Sequence, residues 1–148
     1  MRLAKATIKQ GFDILPENVN LTIRARGRTL QELFANALRG MAFYLHPNVL
    51  KAAKGMQKVA ETIVVEAVDV NSLLVDFLSE AIARSDATGA VFADATFRTF
   101  GENFLEGEIS GVAVSEHQRE IRAVLYEDVD IKKNPATGLF ETLLAFET

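Results

Sequence analysis

Two stretches of this chain repeat their apolar residues at helical spacing, and nearly all the rest alternates as strands do. Leu30, Leu33, Phe34, Ala37, Leu38 and Met41 line one face of a helix that runs to about Tyr44. Thr29 with Glu32 fits a capping box at its start, and His46, Pro47 and Asn48 end it. Leu73, Leu74, Phe77, Leu78, Ala81 and Ile82 define the second helix, capped by Asp69 or Asn71 and closed by Ser85, Asp86 and Gly89. Residues 12–15, 21–26, 62–67, 90–100, 104–114, 120–131 and 139–147 read as strands, and 46–60 as a polar or irregular connection. In the second of these strands Leu21, Ile23 and Ala25 alternate with Thr22, Arg24 and Arg26. Two helices cannot cover both faces of so large a sheet. The expected fold is therefore α+β: a two-layer sandwich in which two long helices lie on one face of a mostly antiparallel six- or seven-stranded sheet.

The chain has 148 residues, the size of one domain, and residues 1–148 are read as such. Hydrophobic residues make up 49% and charged residues 24%, which places the bulk among ordered globular chains. No apolar run reaches bilayer length and the first ten residues lack a secretory core, so the expectation is a cytoplasmic protein without membrane contact. The absence of cysteine excludes disulfides, thiolate catalysis and every thiolate zinc site. A net charge of -4 argues against direct nucleic-acid binding, which calls for a basic surface. It leaves open a protein partner that itself carries RNA.

No catalytic constellation stands out. The nine glycines are scattered, and none belongs to a phosphate loop. His46 reads as a helix-terminal residue and His117 as part of a polar turn, with nothing in their spacing to make a two-histidine metal site. Ser115 beside His117 is a turn serine, not a nucleophile arrangement. Glu127, Asp128 and Asp130 read as an acidic run on a strand, with Asp128 and Asp130 on one face. The phenylalanines at 34, 77, 92, 97, 100, 104, 140 and 146 occupy periodic apolar positions and read as core.

Three segments together resemble the archease family. They are Phe12-Asp13-Ile14-Leu15-Pro16 with Leu21–Gly27 and the helix from Thr29; Asn71–Glu80; and Gly111, His117, Ile121–Tyr126 with the terminal Phe146-Glu147-Thr148. The departures fall on the family's functional positions. Where archeases carry His-Thr-Ala-Asp, this chain has Glu17-Asn18-Val19-Asn20, so Asn20 stands at the motif aspartate. Arg122 replaces the family lysine, Glu147 replaces a penultimate aspartate, and Glu127 stands where Tyr is usually followed by His.

The resemblance implies a divalent cation, commonly calcium, held by the two aspartate positions and the terminal carboxylate, here Asn20, Glu147 and Thr148. It implies an activation surface completed by Glu17, Arg122 and Glu127. Asn20 keeps an oxygen but loses a charge, and Glu147 reaches one methylene further, so calcium should bind more weakly than in the family pattern. Arg122 offers a planar fork instead of an ammonium, and could itself pair with Glu147 or Glu127 in place of a metal. The implied function is not enzymatic: an accessory protein that activates a GTP-dependent RNA ligase in tRNA splicing and RNA repair. The alternative is a diverged archease-fold binding or scaffold module that has lost the metal and ligase activation. A third reading, a small hydrolase or isomerase, would need paired carboxylates such as Glu17 and Glu147 in a closed pocket. Oligomeric state is not legible.

Overall fold

A computed structural model describes residues 11–15, 20–50, 57–115 and 119–148. The chain opens with β1 (Phe12–Leu15) and β2 (Leu21–Gly27), followed by α1 (Leu30–Leu45) and a single 3-10 turn (Pro47–Leu50). Next come β3 (Lys58–Glu66), α2 (Val70–Thr88), β4 (Ala90–Phe100) and β5 (Phe104–Ala113). Two short strands, β6 (Ala123–Val124) and β7 (Lys132–Lys133), precede the last, β8 (Phe140–Glu147). The α+β class holds, with all pairings antiparallel.

The strands divide into two sheets: a five-stranded one ordered β1-β2-β8-β6, with β7 also on β8, and a three-stranded one ordered β3-β5-β4. The two helices lie against buried residues of both sheets and close one hydrophobic core.

Helix boundaries follow their caps. The Thr29 hydroxyl accepts the Glu32 N–H at 3.1 Å, while the Glu32 carboxylate reaches back to the Arg28 N–H at 2.8 Å. Asp69 caps α2 by accepting from Ser72 N at 2.8 Å, a bond that holds its carboxyl below the ordinary value. Asn71, the other sequence candidate, is used differently: its side-chain oxygen accepts from Ile131 N at 2.9 Å. Gly89 ends α2 in the left-handed region at φ 75°, where a side chain would be strained.

Two sequence expectations change. β3 begins at Lys58, inside the stretch expected to be a connection. Its first residues alternate only between exposed and half-buried, with Ala60 turned out and Glu61 turned in, so residue polarity does not follow the faces. The strand expected over 120–131 shrinks to Ala123–Val124, and Asp128 sits in a turn at φ 69°. Beyond the turn, Asp130 N is satisfied by the Thr142 hydroxyl and Ile131 N by Asn71, so side chains replace a ladder. The acidic run is therefore not a strand face.

An aromatic cluster ties the helices to β4. Phe34 of α1 meets Phe77 of α2 at 5.7 Å and Phe100 at 4.9 Å, and Phe97 meets Phe100 at 5.2 Å. Phe34 and Phe77 are fully buried. Phe34→Ala should destabilise the fold by about 3–5 kcal/mol, read as a lower urea midpoint without change of slope. An unchanged midpoint would show that this cluster is not the joint between helices and sheet.

Candidate functional site

Four of the residues singled out in the sequence, Asn20, Arg122, Glu147 and Thr148, lie at one end of the five-stranded sheet. β8 pairs with β2 so that Leu21 faces Phe146, and with β6 so that Val124 faces Phe146 and Ala123 faces Glu147. Carried one residue further, the β2–β8 register sets Asn20 opposite Glu147. Leu21, Val124 and Phe146 are buried, so the pleat turns the next row, Asn20, Glu147 and Ala123, toward the opposite face. Arg122 joins the same end through its backbone, its N–H donating to the Glu147 carbonyl at 2.7 Å. Thr148 follows Glu147, and both are exposed.

The guanidinium of Arg122 does not take the partners expected for it. Its ion pair is with Glu120, at 3.9 Å between two largely exposed side chains, and not with Glu147 or Glu127. A pair this long and this solvated contributes little energy. Glu120 was missed in the sequence reading; the signal for it is its position two residues before Arg122 in extended chain, which puts both on one side. Glu127 lies farther off. After Leu125, whose N–H still bonds the Ala145 carbonyl, the chain turns out of the sheet and leaves Glu127 exposed in the turn. Glu17 and His117 lie outside the described residues.

Asn20, Arg122, Glu147 and Thr148 are thus brought to one sheet end, and Glu127 is displaced from it. As a donor set for a hard cation, this end offers the Glu147 carboxylate, the Thr148 carboxylate and the neutral Asn20 oxygen. Among the described residues no group of three or more His, Asp or Glu could hold a metal ion. The fit is partial: oxygen donors of the right kind, with fewer charges than tight calcium binding asks.

The turn after β6 has its own anchor. The Tyr126 hydroxyl donates to Asp76 of α2 in a short hydrogen bond. That bond, then burial, then the Asp76 charge raise the phenol's pKa above its ordinary value. Nearby in sequence, Arg119 stacks over the Tyr44 ring at 5.0 Å, tying the start of this segment to α1. A groove of about 270 Å³ over Thr62, Thr96, Arg98 and Glu108 belongs to the other sheet and takes no part in this end.

An α+β protein with a polar, partly acidic end built where its first and last long strands meet is the class these observations define. The model of the Archease protein family (MTH1598/TM1083) matches residues 12–144, and the chain belongs to that family. Protein archease of Pyrococcus furiosus is 31% identical over 123 residues, covering 78% of this chain and 84% of the relative. Protein archease of Aeropyrum pernix is 30% identical over 125 residues, covering 77% and 82%. The solution structure of protein 1598 of Methanobacterium thermoautotrophicum superposes with a TM-score of 0.70 at 22% identity, covering 94% of this chain and 99% of that one. A Thermotoga maritima crystal structure, described as an archease and possible chaperone, gives 0.62 at 11% identity, covering 92% and 99%. These two likenesses bear on the fold alone. No helix among the described residues is long and apolar enough to cross a membrane.

The Tyr126–Asp76 bond has a pH signature. Because the folded-state pKa is raised, its stabilisation is present below the unfolded tyrosine value of about 10 and is lost as pH rises through the folded value. Tyr126→Phe should cost less than about 1 kcal/mol at neutral pH, given its exposure, and should remove that alkaline loss. Urea unfolding of both proteins across the alkaline range checks it; parallel profiles would rule the bond out as a contributor.

Proposed function

We propose that this chain is an accessory protein that activates a GTP-dependent RNA ligase, presenting the sheet end at Asn20, Arg122, Glu147 and Thr148 to the ligase. The observation that carries this reading is the alignment of β2 with β8, which sets the altered family positions Asn20 and Glu147 opposite each other with Arg122 hydrogen-bonded beside them. Positions scattered by drift would have no reason to share one exposed end. The acidic chain as a whole is suited to meeting a protein with a basic RNA-binding surface, not RNA itself. Glu17, outside the described residues, is assigned to this surface by the family motif alone, and Glu127, displaced into the turn, is not part of it. The role is that of a regulator, not an enzyme, in the cytoplasm.

A divalent cation, calcium first among them, would be held by Glu147, Thr148 and Asn20, and would supply local positive charge at the ligase's nucleotide site. Arg122 supplies a fixed positive charge at the same end whether or not the metal is bound.

The second reading, a scaffold module of the same fold that has lost metal binding and ligase activation, is favoured by the lack of a three-carboxylate cluster among the described residues. Two measurements separate them. Catalytic amounts of the ligase from the same organism should join RNA ends over more cycles with this protein than without it, and Arg122→Ala should lower that gain. No acceleration sinks the first reading. In calorimetric titration, calcium should bind weakly, and Asn20→Asp with Glu147→Asp should tighten it roughly tenfold or more by restoring charge and reach. Absent binding in both proteins would count for the scaffold.

A further inference from the structure

We propose that β3 is a self-pairing edge, and that two copies of this chain join antiparallel about Thr62 into a continuous six-stranded sheet. This inference does not depend on the ligase reading, because it rests on the other sheet.

β3 is an outer strand of the three-stranded sheet. The phase of its ladder is set at both ends: Ala113 N donates to the Gln57 carbonyl at 2.8 Å, and Ala67 N donates to the Asn103 carbonyl at 2.9 Å. Odd-numbered residues therefore turn their backbone groups toward β5, and Lys58, Ala60, Thr62, Val64 and Glu66 turn theirs toward the free edge. All five have exposed side chains, and Val64, at 54% exposure, is a large apolar one.

Edges are normally blunted by bulges, proline or charge in mid-strand. β4, the opposite edge, carries two irregularities, at Phe92/Asp94 and Phe97/Thr99. β3 has neither bulge nor proline, its register with β5 is unbroken over nine residues, and its mid-strand charge, Glu61, is neutralised by Arg84. Among the described residues, the one side chain on its outward backbone is Arg84 of α2, which donates to the Thr62 carbonyl at 2.9 Å while paired with Glu61 and Glu80. That leaves the carbonyl's second lone pair and the Thr62 N–H for a neighbour.

The edge is complementary to itself. An antiparallel pairing centred on Thr62 sets Thr62 against Thr62 of the second copy, Ala60 against its Val64, and Lys58 against its Glu66, twice over by symmetry. The parity is right, because every facing pair draws on outward-turned residues. Among the described residues neither Lys58 nor Glu66 has an ion-pair partner within its own chain. The two-fold axis stands perpendicular to the sheet, so both helix-covered faces stay on one side and nothing buried must open. A neutral or like-charged edge would leave the occupant undetermined; this one specifies a second copy in one register.

The test is sedimentation equilibrium on the full chain, with circular dichroism to confirm folding of each variant. The wild-type protein should be a concentration-dependent dimer. Lys58→Glu and Glu66→Lys should each raise the dissociation constant roughly tenfold or more, since two attractive pairs become repulsive, and the double variant K58E/E66K should return to within about threefold of wild type. Thr62→Pro removes an N–H that β5 does not use, and should leave a folded monomer. A wild-type protein that stays monomeric at several hundred micromolar overturns the proposal, as would be found if the edge served a strand of another protein. So does a dimer indifferent to the single charge changes, or one the double change fails to restore.

Discussion

The pairing of β2 with β8 is the constraint on which the rest depends. It joins a strand from the start of the chain to the last strand over seven consecutive residue pairs, Leu21–Gly27 against Phe140–Phe146. Strand side chains alternate, so a slip of one residue would carry Ile23, Leu144 and Phe146 out of the core and bring Arg24 and Leu143 in. The burial of those three residues at 0% exposure is what fixes the register. The same register then decides what meets beyond the last buried row. Extended by one residue, the register locked at Leu21 and Phe146 brings Asn20 opposite Glu147.

The cores of the two helices and the long strands are legible in the sequence for a physical reason: each has one face in water and one in the core. The Thr29 helix ends within a residue of its expected limits, since a capping box and a His-Pro step bracket it. β4 and β5 fall almost where alternation puts them. The errors lie where neither face is strongly buried or where side chains stand in for the ladder. Over Lys58–Glu61, Val59 packs against the core, but Ala60 faces out and Glu61 in, so polarity leaves no pattern, and 125–131 alternates in composition while its backbone is held by Asn71 and Thr142. The division into two sheets is not a local property and leaves no periodic trace. Of the candidate site, the meeting of Asn20, Arg122 and Glu147 was readable from family positions. The diversion of Arg122 to Glu120 was not, because it depends on where one long side chain comes to rest.

The altered residues change the electrostatics of the sheet end in a consistent direction. Set against the pattern the family resemblance implies, Asn20 for Asp removes a negative charge, and Arg122 for Lys keeps a positive one in a planar fork. Glu120 balances part of that charge, but at 3.9 Å and largely in water it screens the guanidinium more than it holds it. Among the described residues Glu147 has no ion-pair partner, and its carbonyl accepts the backbone bond from Arg122. An end with one exposed arginine and one exposed glutamate can meet charge of either sign on a partner. On the proposed reading, Arg122 keeps a positive charge at this end whether or not a cation is bound. On that account contact with a charged partner can outlive tight metal binding, since Arg122 is held at the sheet end by its main chain and not by any ion.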